Sequence, residues 1–282
     1  MIAVVDYQKG NLKSVERGLI AAGGEALITA DASEIAKADA IVLPGVGAFA
    51  DAATTMCELG QMDVIRERVR AGVPFLGICL GEHLMFEHGV EGAPEGNPTC
   101  GLGLLPGTVV AMPRCDAQGK AFKVPHVGWN TIEIPACGGS AAVPPCGEGG
   151  GNAVLSSGGA GGGAARSSAA KRGLFEHGAF PGSTPQPGGE FAFPGSTPQP
   201  GSELAFACPL FDGIAPGEYF YFTHSYIAPT GSHTIAETTH STRFTSAVQF
   251  GDRAFGVQFH PEKSSDAGAH VLANFVAIAA RG

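Results

Sequence analysis

The stretch from Pro74 to Glu87, PFLGICLGEHLMFE, limits what this chain can fold into more than any other. A short apolar run (Val73, Phe75, Leu76, Ile78) leads into Gly77-Ile78-Cys79-Leu80-Gly81, and residues 83–88, which can be helical, follow directly. A strand that turns at once into a helix needs glycines beside the turn residue, because the strained bend leaves no room for neighbouring side chains. Here the turn residue is a thiol. At a helix start, Cys79 meets unpaired backbone N–H groups and the positive end of the macrodipole, which favour a thiolate. Taken alone, the pentapeptide fits equally well a small buried cysteine closing a central strand.

The balance shifts in Gly256 to Ser264, GVQFHPEKS, far along the chain. A strand-like run (Ala254, Phe255, Val257, Phe259) ends there at His260-Pro261-Glu262. In extended backbone, residues two apart face the same side, and Pro261 restricts the φ between them. The carboxylate of Glu262 can therefore orient the imidazole of His260 and stabilise its charged form. Cysteine, histidine and acid together make a set for thiol-based acyl transfer.

The elbow and the distant His-Pro-Glu resemble those of class I glutamine amidotransferases of the triad type. Further segments narrow the likeness: Asp6-Tyr7 with Gly10-Asn11-Leu12, Pro44-Gly45-Val46-Gly47-Ala48-Phe49, Pro125-His126-Val127-Gly128-Trp129-Asn130 and Tyr221-Phe222-Thr223-His224-Ser225-Tyr226. Within the family they are similar to the glutaminase subunits of imidazole glycerol phosphate synthase, over about residues 1–135 and 206–282. The resemblance implies that Cys79, His260 and Glu262 hydrolyse glutamine to glutamate and ammonia. It further implies oxyanion-binding amides at Val46, Gly47 and Leu80, and substrate contacts from Gly45, His83, His224, Ser225 and Tyr226. A heterodimer with an ammonia-consuming cyclase subunit is implied too, with Asn11, Trp129 and Lys263 facing that partner. No metal or organic cofactor is implied. Two other readings stay open: a glutaminase serving another synthase, and a binding subunit that keeps the triad without turning over glutamine.

The chain departs from the family pattern after the elbow, where an apolar residue and then glutamine usually stand. Here they are Glu82 and His83. His83 can still make one hydrogen bond to a substrate. A charge on Glu82 suits the helix dipole but opposes a thiolate at Cys79. Gln8-Lys9 likewise stands where the family tends to have a glycine.

Around these motifs, Ile2 to Val5, Ala26 to Thr29 and Ala40 to Leu43 read as short apolar strands. Helical patterns separate them: one from about Leu12 to Ala22, with Leu12, Val15, Leu19 and Ile20 on one face and Asn11 as N-cap, and one near Ser33 to Ala38. Such alternation predicts an α/β domain with a mixed, mostly parallel sheet in three layers, the flavodoxin-like architecture of the resembled family. Ligands then bind beyond the carboxyl ends of the strands, where Cys79 lies. Leu104 to Met112 and Val127 to Ile134 read as antiparallel additions, and Glu218 to Tyr226 as an aromatic-rich strand. Ile235 to Thr238, Thr245 to Phe250 and Ala254 to Phe259 are successive strands. A last helix is expected from about Asp266 to Ala280, with Val271, Leu272, Phe275 and Ile278 inward and Ser264 or Ser265 capping it. The lone Trp129 fits either core filling or an interface anchor.

Composition matters chiefly between about 136 and 205, where Gly, Ser and Pro dominate and FPGSTPQPG occurs twice, at Phe180 to Gly188 and Phe193 to Gly201. This stretch is expected to be a disordered insertion in a single domain. The formal net charge of -9 argues against nucleic acid or an anionic membrane as partner. No apolar run approaches the ~18 residues of a membrane span. Residues 1–6 reach an acid without a basic segment before them and read as a strand, not a signal peptide. The seven cysteines include no CxxC, so reduced thiols in the cytoplasm are expected.

Overall fold

Successive residues of a strand leave opposite faces of its sheet, so a strand that is apolar throughout must be covered on both sides. The computed structural model, which describes residues 1–133, 135 and 208–281, meets that demand. In chain order come β1 (Ile2–Val5), α1 (Leu12–Ala21), β2 (Ala26–Thr29), α2 (Ala32–Lys37), β3 (Ala40–Gly45), α3 (Phe49–Glu58) and α4 (Gln61–Arg70). The elbow follows as β4 (Phe75–Cys79) and α5 (Leu80–His83), then β5 (Phe86–Gly89), β6 (Thr99–Cys100), β7 (Leu105–Ala111) and β8 (His126–Thr131). The last part holds β9 (Tyr219–His224), β10 (Tyr226–Ile227), β11 (Thr234–Thr239), β12 (Arg243–Phe250), β13 (Ala254–Val257) and α6 (Ser265–Ala279). The described residues all fall in one compact unit. The insertion expected at about 136–205 lies outside the described residues.

The main sheet has seven strands in the order β11-β12-β13-β4-β3-β1-β2. From β2 to β13 neighbours run parallel, and β12 and β11 continue the sheet antiparallel. Ile2 and Val4 enter a core with Val15 and Leu19 of α1 and Val271, Leu272 and Phe275 of α6. Ala3 and Val5 enter the opposite core with Ile35, Met56 and Ile65 of α2, α3 and α4. Three layers result, as expected. β4 and β3 lie centrally, so the carboxyl end of β4 opens at the middle of the sheet edge.

Some local expectations need correction. Of residues 83–88 only His83, the end of α5, is helical: Phe86 and His88 pair with Leu105 and Thr108, so nonlocal pairing overrides local propensity. β7 is antiparallel to β10 but parallel to β5. Ile20 is exposed at 53%, because only Val15 and Leu19 of α1 point fully inward. Asn11 and Ser264 occupy N-cap positions, yet neither side chain makes a capping hydrogen bond. The inward face of α6 is as expected, with Val271, Leu272, Phe275 and Ile278 all buried.

Candidate active site

The elbow is built by close approach. Cys79 ends β4 at φ 54 and ψ -107, a conformation unfavourable for any residue with a Cβ, on the order of 1–3 kcal/mol. A Cβ on Gly81 would collide with the Leu43 carbonyl of β3, and one on Gly77 would lie 2.5 Å from the Gly81 carbonyl oxygen. Glycines at 77 and 81 therefore let α5 fold back onto the strands, and this packing holds Cys79 in its strained turn. The thiol is 7% exposed, with Sγ 3.9 Å from the Thr223 carbonyl oxygen.

The base arrives on the neighbouring strand. β13 pairs parallel with β4, which brings the chain beyond Val257 to the end of the sheet where Cys79 lies. His260 Nδ1 is 2.9 Å from Glu262 Oε1, with both side chains buried to within 2%. The backbone is clamped: His260 N–H donates to the Tyr221 carbonyl at 2.9 Å. Ser264 Oγ donates to the His260 carbonyl at 2.6 Å and accepts from Tyr221 N–H at 3.0 Å. That is why Ser264 does not cap α6. Burial opposes a charge on His260, but Cys79 and Glu262 outweigh it and raise its pKa to about 9. Nε2 is buried without a geometrically complete hydrogen bond, while the sulfur is near enough to act on it electrostatically.

A second pair supports the nucleophile from the other side. His83 is buried and its Nε2 lies 2.6 Å from Oε1 of Gln258, two residues before His260. Gln258 directs its amide nitrogen towards Cys79 Sγ at 3.6 Å. Burial lowers the His83 pKa to about 4 against the pull of Gln258, so its neutral ring donates from Nε2. Glu82 is fully buried with neither oxygen hydrogen-bonded. Burial first, and Cys79 second, push its carboxyl well above the usual range. The like-charge repulsion expected from Glu82 is thus relieved by protonation, the ordinary response of a buried acid without a partner.

Cys79 opens on a cleft of about 460 Å³ lined also by Val46, Gly47, Leu80, His83, His224, Ser225 and Tyr226. Gly45 is not among the lining residues; it is buried on β3, where any Cβ would meet the Tyr7 hydroxyl and Leu80. The Val46 amide interacts with that Tyr7 hydroxyl, although without good hydrogen-bond geometry. Sequence reasoning missed Gln258 and Glu91. Alternation from His260 could have found the first. Glu91 lines the cleft, accepts from Phe49 N–H at 3.3 Å, and is raised in pKa mainly by burial. Nothing in its loop sequence singles it out.

Trp129, Tyr221 and Lys263 gather outside the site. Trp129 is 51% exposed on β8, which excludes core filling, and meets the Tyr221 ring edge-on at 6.1 Å. Lys263 Nζ stands 5.9 Å from the centre of the same ring. Asn11 lies apart, at the start of α1. Among the described residues no cluster of His, Cys, Asp and Glu could hold a metal, and no helix is long and apolar enough to cross a membrane.

The architecture agrees with what the chain is similar to. The family model of class-I glutamine amidotransferases matches residues 3–133 and 194–279. A protein of Moorella thermoacetica named imidazole glycerol phosphate synthase subunit HisH is 34% identical over 276 residues, covering 97% of this chain and 93% of the relative. A protein of the same name from Geobacillus thermodenitrificans is 32% identical over 279 residues, covering 99% and 96%. A crystal structure described as glutamine amidotransferase superposes with a TM-score of 0.56 at 16% identity, covering 99% of this chain and 98% of the other, which speaks for the fold alone. The chain belongs to the class-I glutamine amidotransferase family.

Proposed function

We propose that this chain is the glutaminase subunit of imidazole glycerol phosphate synthase, supplying ammonia to a cyclase subunit (HisF) that makes imidazole glycerol phosphate and AICAR in histidine biosynthesis. The observation that carries the reading is the buried His260–Glu262 pair beside Cys79 at the floor of a cleft. Sγ attacks the side-chain amide carbon of glutamine, and the thiol proton passes to His260. The imidazolium, stabilised by Glu262, gives its proton to the departing nitrogen, and ammonia leaves a glutamyl thioester. His260, now neutral, takes a proton from water as the water attacks; glutamate leaves and the thiol is restored. Glu91 is the carboxylate available in the cleft for the α-ammonium of the substrate. His224, Ser225 and Tyr226 form the facing wall. No cofactor enters this chemistry.

The amides of Leu80 and of Val46 or Gly47 are the donors proposed for the oxyanion. Gly47, at φ 103, leaves this loop the freedom to turn its peptide towards the cleft. A partner seated on Trp129, Tyr221 and Lys263 is well placed to drive such a turn. Tyr221 holds the His260 backbone, and Lys263 follows Glu262 directly. Asn11, at the start of α1 and apart from that group, is proposed as a separate partner contact. A heterodimer in the cytoplasm fits this reading.

The test is release of glutamate, measured with and without the cyclase subunit and its nucleotide ligand. Slow release alone and strong stimulation by the partner are expected. No release under either condition would overturn the reading, and equal rates would remove the gating.

A further inference from the structure

A line of hydrogen bonds runs along the inner face of the β8–β9 ribbon, outside the chemistry above. Asn130 Nδ2 lies 3.3 Å from His126 Nε2, His126 Nδ1 lies 3.0 Å from His224 Nε2, and His224 Nδ1 lies 2.8 Å from the Tyr226 carbonyl oxygen. The direction of each bond follows from its end. A carbonyl only accepts, so Nδ1 of His224 carries the proton. A neutral imidazole has one N–H, so His224 Nε2 accepts from His126 Nδ1–H, and His126 Nε2 accepts in turn from the Asn130 amide. The orientation of Asn130 is fixed independently. Its Nδ2 donates to the Thr239 carbonyl at 3.0 Å, and its Oδ1 accepts from Thr131 N–H at 2.9 Å.

The line works only while both rings are neutral, since an added proton would turn an acceptor nitrogen into a second donor. Burial, with His240 as a smaller influence, lowers His126 to about 4. Burial also holds His224 well below the ordinary range; the Tyr226 carbonyl opposes this, and His126, His83 and His240 add to it. The rings are further fixed by stacking: His126 lies 5.0 Å from Phe222 and 4.2 Å from His240, each at 21°.

We propose that His126 is a positioning residue for the substrate pocket: it holds His224 in the Nδ1–H tautomer and so ties the Ser225–Tyr226 wall of the Cys79 cleft to the ribbon that bears Trp129. His224 and Tyr226 line the cleft, whereas His126 is one step behind it. Trp129 precedes Asn130 in β8, so a shift of the outer ribbon face is carried inward through directed bonds. The proposal rests on the cleft being the glutamine site.

The test uses the full chain carrying nitrogen-15 histidine. Two-bond proton–nitrogen correlations report which ring nitrogen is protonated, and near neutral pH both His126 and His224 should carry the proton on Nδ1. His126→Phe keeps an aromatic ring but removes the donor. It should move the His224 Nε2 resonance away from its acceptor position and raise the glutamine KM about tenfold, with kcat changing less than about threefold. His126→Asn, whose amide nitrogen can stand near the former Nδ1, should recover most of that KM. A proton on Nε2 of His224 in the unaltered chain, or an unchanged KM in a folded His126→Phe protein, would overturn the proposal. Should His126→Phe not fold, the tautomers and His126→Asn decide: a KM raised in the asparagine variant as far as in His126→Ala counts against the donor role. The tautomer reading needs no turnover, so an inactive parent protein would defeat the glutaminase reading and leave this measurement standing.

Discussion

His83 donates from Nε2 to Gln258 Oε1 across 2.6 Å, and Gln258 points its amide nitrogen at Cys79 Sγ, so a residue foreign to the usual elbow reaches the nucleophile through one intermediary. Burial holds the His83 ring at about 4, below the ~6.5 of an exposed histidine. A group depressed in the folded state gives its full stability above the unfolded value and loses it as pH falls through the folded one. The chain should therefore lose on the order of 3 kcal/mol through His83 between about pH 6.5 and 4. His83→Gln, which can keep a donor to Gln258, should remove that part of the acid dependence. Urea unfolding at several pH values measures it, and an identical slope in the variant would mean the ring is not held neutral.

Glu82 gives the opposite sign. Its folded-state carboxyl is raised by burial, so its protonated form is favourable below the unfolded value, and that advantage is lost as pH rises through the folded one. Glu82→Met, of similar volume and next to Met85 and Gly256, should be more stable than the parent, by a margin growing at up to about 1.4 kcal/mol per pH unit above pH 5. A margin that stays flat from pH 5 to 8 would contradict a buried neutral acid.

The titration of His260 tests the triad directly. Cys79 and Glu262 raise the ring to about 9 against burial, so an NMR titration of its ring should have a midpoint near 9. The midpoint should fall in Cys79→Ala and in Glu262→Gln, each of which removes one of the two supports. A midpoint that neither substitution moves would break the proposed coupling.

What could be read from residues alone was local or periodic. The elbow declares itself because glycines at 77 and 81 are demanded by backbone contacts within a few residues or with the adjacent strand. His260 and Glu262 are legible as a pair across one proline. The strand expected to Phe259 nevertheless ends at Val257, and a 3-10 turn over Pro261–Lys263, not extended backbone, brings the two side chains together. The inward face of α6 follows from its period. What escaped depends on distant pairing. Phe86 became strand because of Leu105, and Gln258 matters because His83, 175 positions away, meets its side chain. Glu91 matters because a loop folds over Phe49. The charge state of Glu82 could not be foreseen without knowing that nothing bonds to it.

On the outer ribbon, Trp129→Ala and Lys263→Ala should weaken binding of the cyclase subunit by about tenfold or more, as exposed aromatic and cationic anchors do. Titration calorimetry gives the affinity. Lys263→Ala should reduce partner stimulation of glutamate release more than it reduces alkylation of Cys79 by a glutamine-like electrophile. Unaltered affinity in both variants would put the docking face elsewhere.

The central claim is that Cys79 carries the glutamyl group. In the complex with the cyclase, rapid acid quenching during turnover of labelled glutamine, followed by peptide mapping, should place a glutamyl thioester on the peptide containing Cys79. The adduct should form and decay as fast as glutamate is released, and be absent in Cys79→Ala. Glutamate release that persists in Cys79→Ala, or an adduct on another of the seven cysteines, would contradict the account.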